Sequence, residues 1–417
     1  MGVTLAQKIL AKASGKSKVT PGEVVEANID VAVFHDIGIY LVKYWKELGA
    51  KRVWNPDKIL VVFDHRVPPA TKKDSEAQKE IREFVREQRI KNFYDIGRQS
   101  ISHQLIVEGG YAIPGNVVAS QDTYAVTGGA VGSFSTAHGY DLLPILATGK
   151  SWYIVPETLK FNMSGAFQKG VMSRDFIQWL VKEIGQDRAV YKVTEFHGPV
   201  VDSMGIDGRM SLCHYTVKLG AKAALVNPDE VTLSYVKPRA REPFTPLKSD
   251  LDAEYEETFD YNVSKLEPQI ATPGDPSNTK TVREIEGVEI DQAFIGSCAA
   301  GRMEDLTVAA KILKGRTVHS RVRALIVPAS QEIYKQALME GLMEVFVTAN
   351  ATIGFPSCGA CSGSSGVLAS EETCITTSTT NLPGRMGSSS AKIYLANAAT
   401  VAASSVAGKI ADPRNYL

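Results

Sequence analysis

The sequence AFIGSCAAGR, residues 293–302, joins an apolar run typical of a buried strand to a small-residue loop that carries Cys298. A second loop, FPSCGACSG at residues 355–363, carries Cys358 and Cys361 as a C-x-x-C pair. Ligand-binding residues of open α/β sheets gather at the carboxyl ends of strands, which is where these cysteines fall. A closed structural metal site normally has four protein ligands. Three thiols without an obvious fourth therefore indicate a metal centre with one open position.

The C-x-x-C pair has two other interpretations. It could be half of a zinc site, although the sequence has no second C-x-x-C and no H-x-x-x-H. It could be a redox dithiol, although such a motif usually opens a helix early in a small domain. The glycines and serines around it favour an iron–sulfur cluster, because small residues let backbone N–H groups approach the cluster sulfurs. We expect Cys213 and Cys374 to pack as small apolar residues in a helix and a strand.

Composition excludes several functional classes. The 417 residues contain 46 Lys and Arg against 46 Asp and Glu, so no basic excess indicates binding to nucleic acid or to an anionic membrane. No apolar run reaches the roughly 18–20 residues of a membrane span, and the N-terminus lacks the apolar core of a signal peptide. Five cysteines, an odd number, do not form a disulfide framework. We therefore predict a cytoplasmic protein.

Strands and helices alternate along the chain. The apolar runs at residues 59–63 and 324–327 predict strands, and helical periodicity predicts helices over residues 75–89 and 331–345. This alternation predicts an α/β fold with parallel sheets covered by helices. Residues from about 238 to 280, rich in Pro, Asp, Glu, Ser and Thr, predict an irregular connection within an N-terminal part, residues 1–285. The cysteine loops then belong to a C-terminal domain, residues 286–417.

Six short motifs are distributed over nearly the whole chain. They are VWNPDK at 53–58, FDH at 63–65, GPVVDSM at 198–204, GSCAAGR at 296–302, CGAC at 358–361 and GR at 384–385. Together they resemble the aconitase superfamily, and most closely its large subunits of the isopropylmalate dehydratase and homoaconitase type. The combination is highly specific, although no single motif is.

This resemblance implies three α/β/α units packed around a 4Fe-4S cluster, two of them within residues 1–285 and the third within 286–417. It assigns Cys298, Cys358 and Cys361 as the metal ligands and leaves the fourth iron to bind substrate. In this family a fourth, swivelling domain completes the active site, and the chain ends at Leu417 soon after the third unit. The resemblance therefore implies a separate small swivelling subunit in a hetero-oligomer.

The implied activity is that of a hydro-lyase, which dehydrates and rehydrates a small hydroxy acid. That chemistry needs acid and base groups of tuned pKa beside the metal. The resemblance assigns the catalytic roles to Asp64, His65, His103 and Asp122. A carboxylate next to an imidazole, as in Asp64 and His65, can orient the ring and raise its pKa.

The implied substrate-binding residues include several departures from the family pattern. The assigned residues are His35, Tyr124, His214, Lys218, Arg302 and Arg385. Arg302 has a structural alternative, which is to cap the helix that follows it, and Lys218 has the alternative of a solvated helix residue. The chain departs from the family at Tyr124, His214, Lys218, Ala300 and Thr380, where the family has His, Asn, Glu, Asn and Arg.

The departures predict a divergent substrate site. Arg binds a carboxylate through a rigid bidentate fork, and Thr cannot replace it. Because the cluster cysteines are retained, we expect the chain to be a cluster-dependent dehydratase with an altered substrate. Two alternatives stay open at this point. One is a cluster enzyme with other chemistry at the open iron, and the other is a non-catalytic aconitase-like binding or regulatory subunit.

Overall fold

Short β-branched runs form the strands of the structure, a computed structural model that describes residues 2–417. The strands are β1 Val24–Asn28, β2 Val31–His35, β3 Ile59–Val62, β4 Asn92–Tyr94, β5 Val117–Ser120, β6 Phe134–Ala137, β7 Lys150–Ile154, β8 Thr158–Ser164, β9 Val193–His197, β10 Ala223–Val226, β11 Glu257–Asn262, β12 Gln269–Ala271, β13 Thr279–Thr281, β14 Gln292–Gly296, β15 Arg323–Val327, β16 Thr352–Ile353, β17 Thr373–Thr376 and β18 Lys392–Ala396.

Helices follow most of the strands. The α-helices are α1 Leu5–Ser14, α2 Ile39–Glu47, α3 Lys72–Glu87, α4 Ser102–Glu108, α5 Leu142–Thr148, α6 Ser173–Ile184, α7 Pro199–Ser203, α8 Ile206–Tyr215, α9 Glu230–Val236, α10 Ser297–Ala300, α11 Met303–Leu313, α12 Gln331–Met339, α13 Leu342–Thr348 and α14 Ala398–Ala407. Short 3-10 helices cover Asp36–Gly38, Thr123–Val131, Gly139–Asp141, Thr216–Leu219, Val263–Lys265, Val282–Ile285, Gly359–Ser362 and Pro413–Asn415. Within residues 2–417, no helix has the length and apolar character needed to cross a membrane.

The predicted helices form with two adjustments. The helix expected over residues 75–89 is α3, which begins earlier because Thr71 caps it by accepting the N–H of Asp74 at 3.1 Å. The prediction of a single helix over residues 331–345 is wrong, because the structure has two helices there, α12 and α13. Gly341 lies between them with φ 78°, a left-handed conformation that ends a helix.

The described residues form two compact units. Unit one comprises residues up to 96, 102–165 and 187–262, and unit two comprises residues 97–101, 166–186 and 263–417. Residues 238–256 contain neither helix nor strand, whereas the second half of the predicted irregular connection contains β11, β12 and the start of β13. Since groupings by packing need not coincide with folding domains, the division at residue 286 stays a prediction.

Unit one contains two parallel sheets and one small antiparallel pair. The five-stranded sheet has the order β4-β3-β2-β5-β6, and the four-stranded sheet has the order β10-β9-β8-β11. All neighbours in these two sheets are parallel. β3 is buried along its whole length, as expected for a parallel strand covered on both faces. β1 and β7 pair antiparallel.

Unit two contains a seven-stranded sheet with the order β13-β12-β18-β17-β14-β15-β16. The five strands from β14 to β18 are parallel, β12 pairs antiparallel with β18, and β13 pairs antiparallel with β12. Apolar residues of β14, α11 and α14 form the core on one side, including Ile295, Leu306 and Val401. The three parallel sheets with their helices confirm the predicted α/β class.

The two five-stranded parallel arrays share one topology. In each, the first strand is central, the second and third lie on one side, and the fourth and fifth lie on the other. The strand order therefore reverses between β2 and β5 in unit one, and between β14 and β17 in unit two. Ligands of open α/β sheets bind at the carboxyl ends of the strands at such a reversal. His35 ends β2 and Asp122 follows β5 at the reversal in unit one, and Cys298 follows β14 at the reversal in unit two.

Candidate functional site

In unit one, the carboxyl ends of three neighbouring parallel strands bring imidazoles and carboxylates together. His35 ends β2, Asp64 and His65 follow β3, and Asp122 follows β5. The rings of His35 and His65 stack with centroids 4.4 Å apart and an interplanar angle of 30°. His35 Nε2 lies 3.8 Å from Asp122 Oδ2. Four of the predicted site residues therefore form one cluster at the strand-order reversal.

Asp64 and His65 form a buried ion pair. His65 Nδ1 lies 2.6 Å from Asp64 Oδ1, and the backbone N–H of Ser102 donates to Asp64 Oδ2 at 2.8 Å. Burial opposes both charges, but the hydrogen bond and mutual attraction lower the pKa of Asp64 to about 2 and raise the pKa of His65 to about 9. At neutral pH, His65 is therefore an imidazolium whose Nδ1 proton is held by Asp64. Its Nε2 proton is left for donation.

Asp122 is the second carboxylate of the cluster. Its Oδ1 lies 3.2 Å from Nδ1 of His103 on α4, and it accepts the N–H of Tyr124 at 2.7 Å. Burial opposes its ionisation, but the nearby imidazoles of His103 and His35 hold the pKa of Asp122 far below its usual range. Burial and the charge of His65 lower the pKa of His35. The cluster thus pairs a charged imidazole with a neutral one, an arrangement that suits acid and base chemistry at one pH.

Three departures from the family pattern contact one another in unit one. We call Tyr124, Thr127, His214 and Lys218 the tyrosine cluster. The rings of Tyr124 and His214 stack at 4.4 Å and 15°, and Lys218 Nζ lies 5.8 Å from the centroid of the Tyr124 ring. Thr127 Oγ1 lies 3.1 Å from His214 Nδ1. The ring of His103 lies 5.2 Å from that of His214, so the tyrosine cluster adjoins the acid–base residues.

In unit two, the three predicted ligand cysteines lie after parallel strands. Cys298 is in α10, which follows β14 directly, and Cys358 and Cys361 follow β16. All three thiols are buried and none forms a disulfide. A Cβ on Gly296 would lie 2.0 Å from the carbonyl oxygen of Val327, and Ser297 has φ 59°. The loop before Cys298 therefore depends on glycine and on a strained backbone of the kind found at functional sites.

The thiols influence one another and their surroundings. A hydrogen bond between Cys358 and Cys361 raises the pKa of Cys358 and lowers the pKa of Cys361. The charge of Cys298 raises the pKa of Cys358 further. Arg385 Nη2 lies 3.9 Å and Thr379 Oγ1 lies 3.8 Å from the sulfur of Cys361. These groups form a buried, soft ligand set with hydrogen-bond donors around one sulfur.

Comparison with known proteins assigns the family. The model of the aconitase family (aconitate hydratase) matches residues 7–286 and 277–408. The chain belongs to the aconitase family. It is 47% identical over 420 residues to the 3-isopropylmalate dehydratase large subunit 1 of Methanopyrus kandleri, covering 100% of both chains. It is 44% identical over 416 residues to the probable 3-isopropylmalate dehydratase large subunit of Methanothermobacter thermautotrophicus, covering 99% of both.

A solved structure supports the fold. The crystal structure of Thermococcus kodakaraensis aconitase X in its holo form matches with a TM-score of 0.51 and 14% identity, over 91% of this chain and 90% of that one. The resemblance predicted from the motifs is confirmed, as is the aconitase-like α/β fold. The chain is a hydro-lyase of the aconitase family, which removes the alternative of a non-catalytic subunit.

The three thiols of this aconitase-family chain fit the iron–sulfur cluster that its family implies. The donor set is three buried thiols, and the sulfur of Cys361 accepts a hydrogen bond from the Thr379 N–H. The hydroxyls of Ser297 and Thr380 are buried without a hydrogen-bond partner. Such donors beside thiolates are the groups that stabilise cluster sulfurs.

The other two cysteines differ in environment. Cys374 is fully buried in β17, and burial raises its pKa to about 12, so it stays a protonated thiol. Cys213 is buried in α8. Both positions agree with the expectation of packing in a strand and a helix.

Two predicted substrate-binding residues lie in unit two. Arg302 is fully buried at the start of α11, where Asp305 accepts its backbone N–H at 3.3 Å and its guanidinium donates to the Ala299 carbonyl at 3.4 Å. This position matches the structural alternative of a helix cap, and substrate binding by Arg302 stays a prediction. Arg385, beside Cys361, stays a predicted carboxylate binder.

Sequence reasoning missed two residues that position the acid–base cluster. Asp36 accepts backbone N–H groups from the loop that carries Asp64 and His65. Gln121 accepts the N–H of His35 at 3.2 Å and donates to the Tyr40 hydroxyl at 2.8 Å. The signal for Asp36 was the pair His35-Asp36, which matches a His-Asp pair of the family pattern near the substrate, and the signal for Gln121 was only its position before Asp122.

Proposed function

We propose that the chain is the iron–sulfur large subunit of a two-subunit enzyme that removes and re-adds water on a small hydroxy acid. The observation that carries this proposal is the stacked pair of His65 and His35. One imidazole is charged and the other is neutral, and each lies beside a carboxylate. Dehydration needs a proton donor for the departing hydroxyl, and His65 holds one at neutral pH.

Cys298, Cys358 and Cys361 would hold the 4Fe-4S cluster of the proposed enzyme. When bound, a cluster with one iron that lacks a protein ligand supplies a Lewis acid for the substrate hydroxyl and carboxylate. The chain's own contribution is the ligand set and its electrostatics. The hydrogen bond with Cys358, the charge of Arg385 and the Thr379 N–H lower the pKa of the Cys361 thiol. These contacts favour the thiolate form that a metal requires.

The acid–base residues would manage the protons of the reaction. His65 donates its Nε2 proton to the departing hydroxyl, which leaves as water, and Asp64 orients the ring through Nδ1. A base removes the proton on the carbon next to the carboxylate, and the electron pair of that bond forms the new double bond. The relatives are named large subunits. We therefore assign the remaining catalytic groups to a small swivelling subunit.

The tyrosine cluster supports a changed substrate. The departures His214 and Lys218 both lie against the ring of a third departure, Tyr124, so a change at Tyr124 alters the environment of the other two. Thr380, where the family has Arg, offers a hydroxyl in place of a bidentate fork. We infer that the substrate lacks one carboxylate of isopropylmalate or homoaconitate, or carries another group at the position facing the tyrosine cluster.

A turnover assay with the complete enzyme tests this function. The chain is co-purified with its small subunit without oxygen, and hydration and dehydration are followed with isopropylmalate, homoaconitate and a panel of hydroxy monocarboxylates and dicarboxylates. We expect at least one panel member to react at an ordinary enzymatic rate, about 1–1000 per second. Such a rate with isopropylmalate or homoaconitate would refute the inference that the substrate is changed. No water addition or removal on any member would contradict the proposed hydro-lyase subunit.

A further inference from the structure

Both carboxylate oxygens of Asp36 accept hydrogen bonds from the loop that follows β3. Asp36 comes directly after β2 and is 3% exposed. Its Oδ1 accepts the backbone N–H of Asp64 at 3.2 Å and of His65 at 2.9 Å, and its Oδ2 accepts the N–H of Arg66 at 2.6 Å. One side chain therefore binds three successive amides of the loop.

A carboxylate is specifically suited to this position. Hydrogen bonds from an amide to an ionised oxygen are about twice as strong as neutral ones. Both oxygens of Asp36 face N–H donors, so an Asn would direct its NH₂ group at the N–H of Asp64 and His65 or at that of Arg66. The far end of the loop is held by Gln78, whose side chain donates to the Arg66 carbonyl at 2.7 Å.

The loop geometry sets the environment of the His65 ring. Asp36 Oδ1 lies 4.0 Å from His65 Nδ1, and Asp64 Oδ1 lies 2.6 Å from the same nitrogen. The groups that face His65 are His35 and Asp36 from the end of β2, Asp122 from the end of β5, and Asp64 from its own loop. Asp36 therefore acts on the ring in two ways, through the backbone and through its charge.

We propose that Asp36 is a positioning residue, which fixes the Asp64–Arg66 loop so that His65 meets Asp64 and stacks on His35. The catalytic meaning of this role rests on the proposed function, in which His65 donates a proton. The structural role does not, because it concerns only contacts within unit one.

The variant Asp36→Asn tests the proposal. The pKa of His65 is measured by nuclear magnetic resonance on protein with isotope-labelled histidine, and His65→Gln assigns the signal among the seven histidines. We expect a lower pKa for His65 in Asp36→Asn. In the active enzyme we expect kcat to fall about 10–100-fold with little change in KM, as for other residues that orient catalytic groups. The alkaline limb of the rate profile should move to lower pH.

Asp30→Asn is the matched control. Asp30 lies at the opposite end of β2, and its carboxylate also accepts a backbone N–H, that of Val117 at 2.8 Å. The Asp30→Asn substitution should leave the pKa of His65 unchanged. An unchanged His65 pKa in folded Asp36→Asn would overturn the proposal, because a general packing role would not need to alter titration.

Hydrogen exchange keeps the proposal testable if Asp36→Asn does not fold. In the unmodified protein, the amides of His65 and Arg66 should exchange slowly, since Asp36 binds them in a buried site. Fast exchange at both would overturn the proposal. None of these resonance or exchange measurements needs turnover, so a wild-type enzyme inactive on every substrate would contradict the proposed function and leave the role of Asp36 intact.

Discussion

The ring of His35 stacks on the ring of His65 at 4.4 Å, and the two imidazoles hold different charges. Burial and the charge of His65 lower the pKa of His35, whereas Asp64 raises the pKa of His65 to about 9 despite its burial. The two histidines thereby take opposite roles, because the carboxylate of Asp64 lies 2.6 Å from His65, whereas the carboxylate of Asp122 lies 3.8 Å from His35. This asymmetry underlies the pH dependence expected of the enzyme.

Activity should fall as pH rises through about 9, where His65 loses its proton. A general acid must be protonated to act, so kcat/KM should be high below this value and decrease above it. A pH–rate profile on the preferred substrate measures this decrease in kcat/KM at alkaline pH, and the His65→Gln variant should not show the decrease. His319→Gln, a change in unit two, should preserve it. An alkaline limb that persists in His65→Gln would contradict the assignment.

The free energy of unfolding should also depend on the ion pair between Asp64 and His65. The pKa of His65 is raised from its ordinary value of 6.5, so its contribution is full below 6.5 and is lost as pH rises through about 9. The pKa of Asp64 is lowered from 3.8, so its contribution is present above 3.8 and is lost as pH falls through about 2. Urea unfolding measured from pH 6 to 10 tests the His65 contribution. The free energy of unfolding of the wild type should lose this contribution as pH rises, and that of His65→Gln should not.

Asp122→Asn should lower kcat by about 10²–10⁴-fold, the usual range for losing acid–base function. The carboxylate lies 3.2 Å from His103 and 3.8 Å from His35, so its removal lowers the tendency of both rings to hold a proton. Steady-state kinetics measures the change, and Asp74→Asn on the surface of α3 serves as control. A kcat within twofold of wild type would show that Asp122 is not part of the acid–base apparatus.

Cys298→Ser should lose the cluster, whereas Cys374→Ser should retain it. Both cysteines are buried, but Cys298 lies beside the Cys358–Cys361 pair and Cys374 is a protonated thiol within β17. Iron content, visible absorbance and electron paramagnetic resonance after anaerobic reconstitution measure the outcome. Equal iron content in the two variants would contradict the ligand assignment.

The tyrosine cluster should respond to mutation as a unit. Tyr124→His, His214→Asn and Lys218→Glu restore the family residues, and because the Tyr124 ring lies against both His214 and Lys218, their effects should not add. We expect the triple variant to gain kcat/KM for isopropylmalate or homoaconitate beyond the product of the single effects. Kinetics on the three single variants and the triple variant measures the coupling. Strictly additive effects would show that the residues act independently of one another.

Much of the site could be predicted where sequence neighbours are also neighbours in space. Asp64 and His65 are adjacent, and Cys358 and Cys361 are three positions apart, so local geometry brings each pair together. The strand predicted over residues 59–63 was also correct, because a short β-branched run between polar turns has few other stable arrangements. The helix predicted over residues 331–345 was wrong because Gly341 ends α12, and periodicity alone does not reveal a left-handed residue.

The sequence by itself determined the family, through its short motifs, and the α/β class, through the alternation of strand and helix patterns. It also predicted the thiol ligand set and, through the family resemblance, the acid–base residues, because strand-then-loop segments place such residues at the carboxyl ends of parallel strands. Only the tertiary structure decided that Asp36 holds the Asp64–Arg66 loop, and that Tyr124 and His214 stack although 90 positions separate them. Such contacts arise from strand order and helix packing, which bring distant segments together after each has formed its local structure.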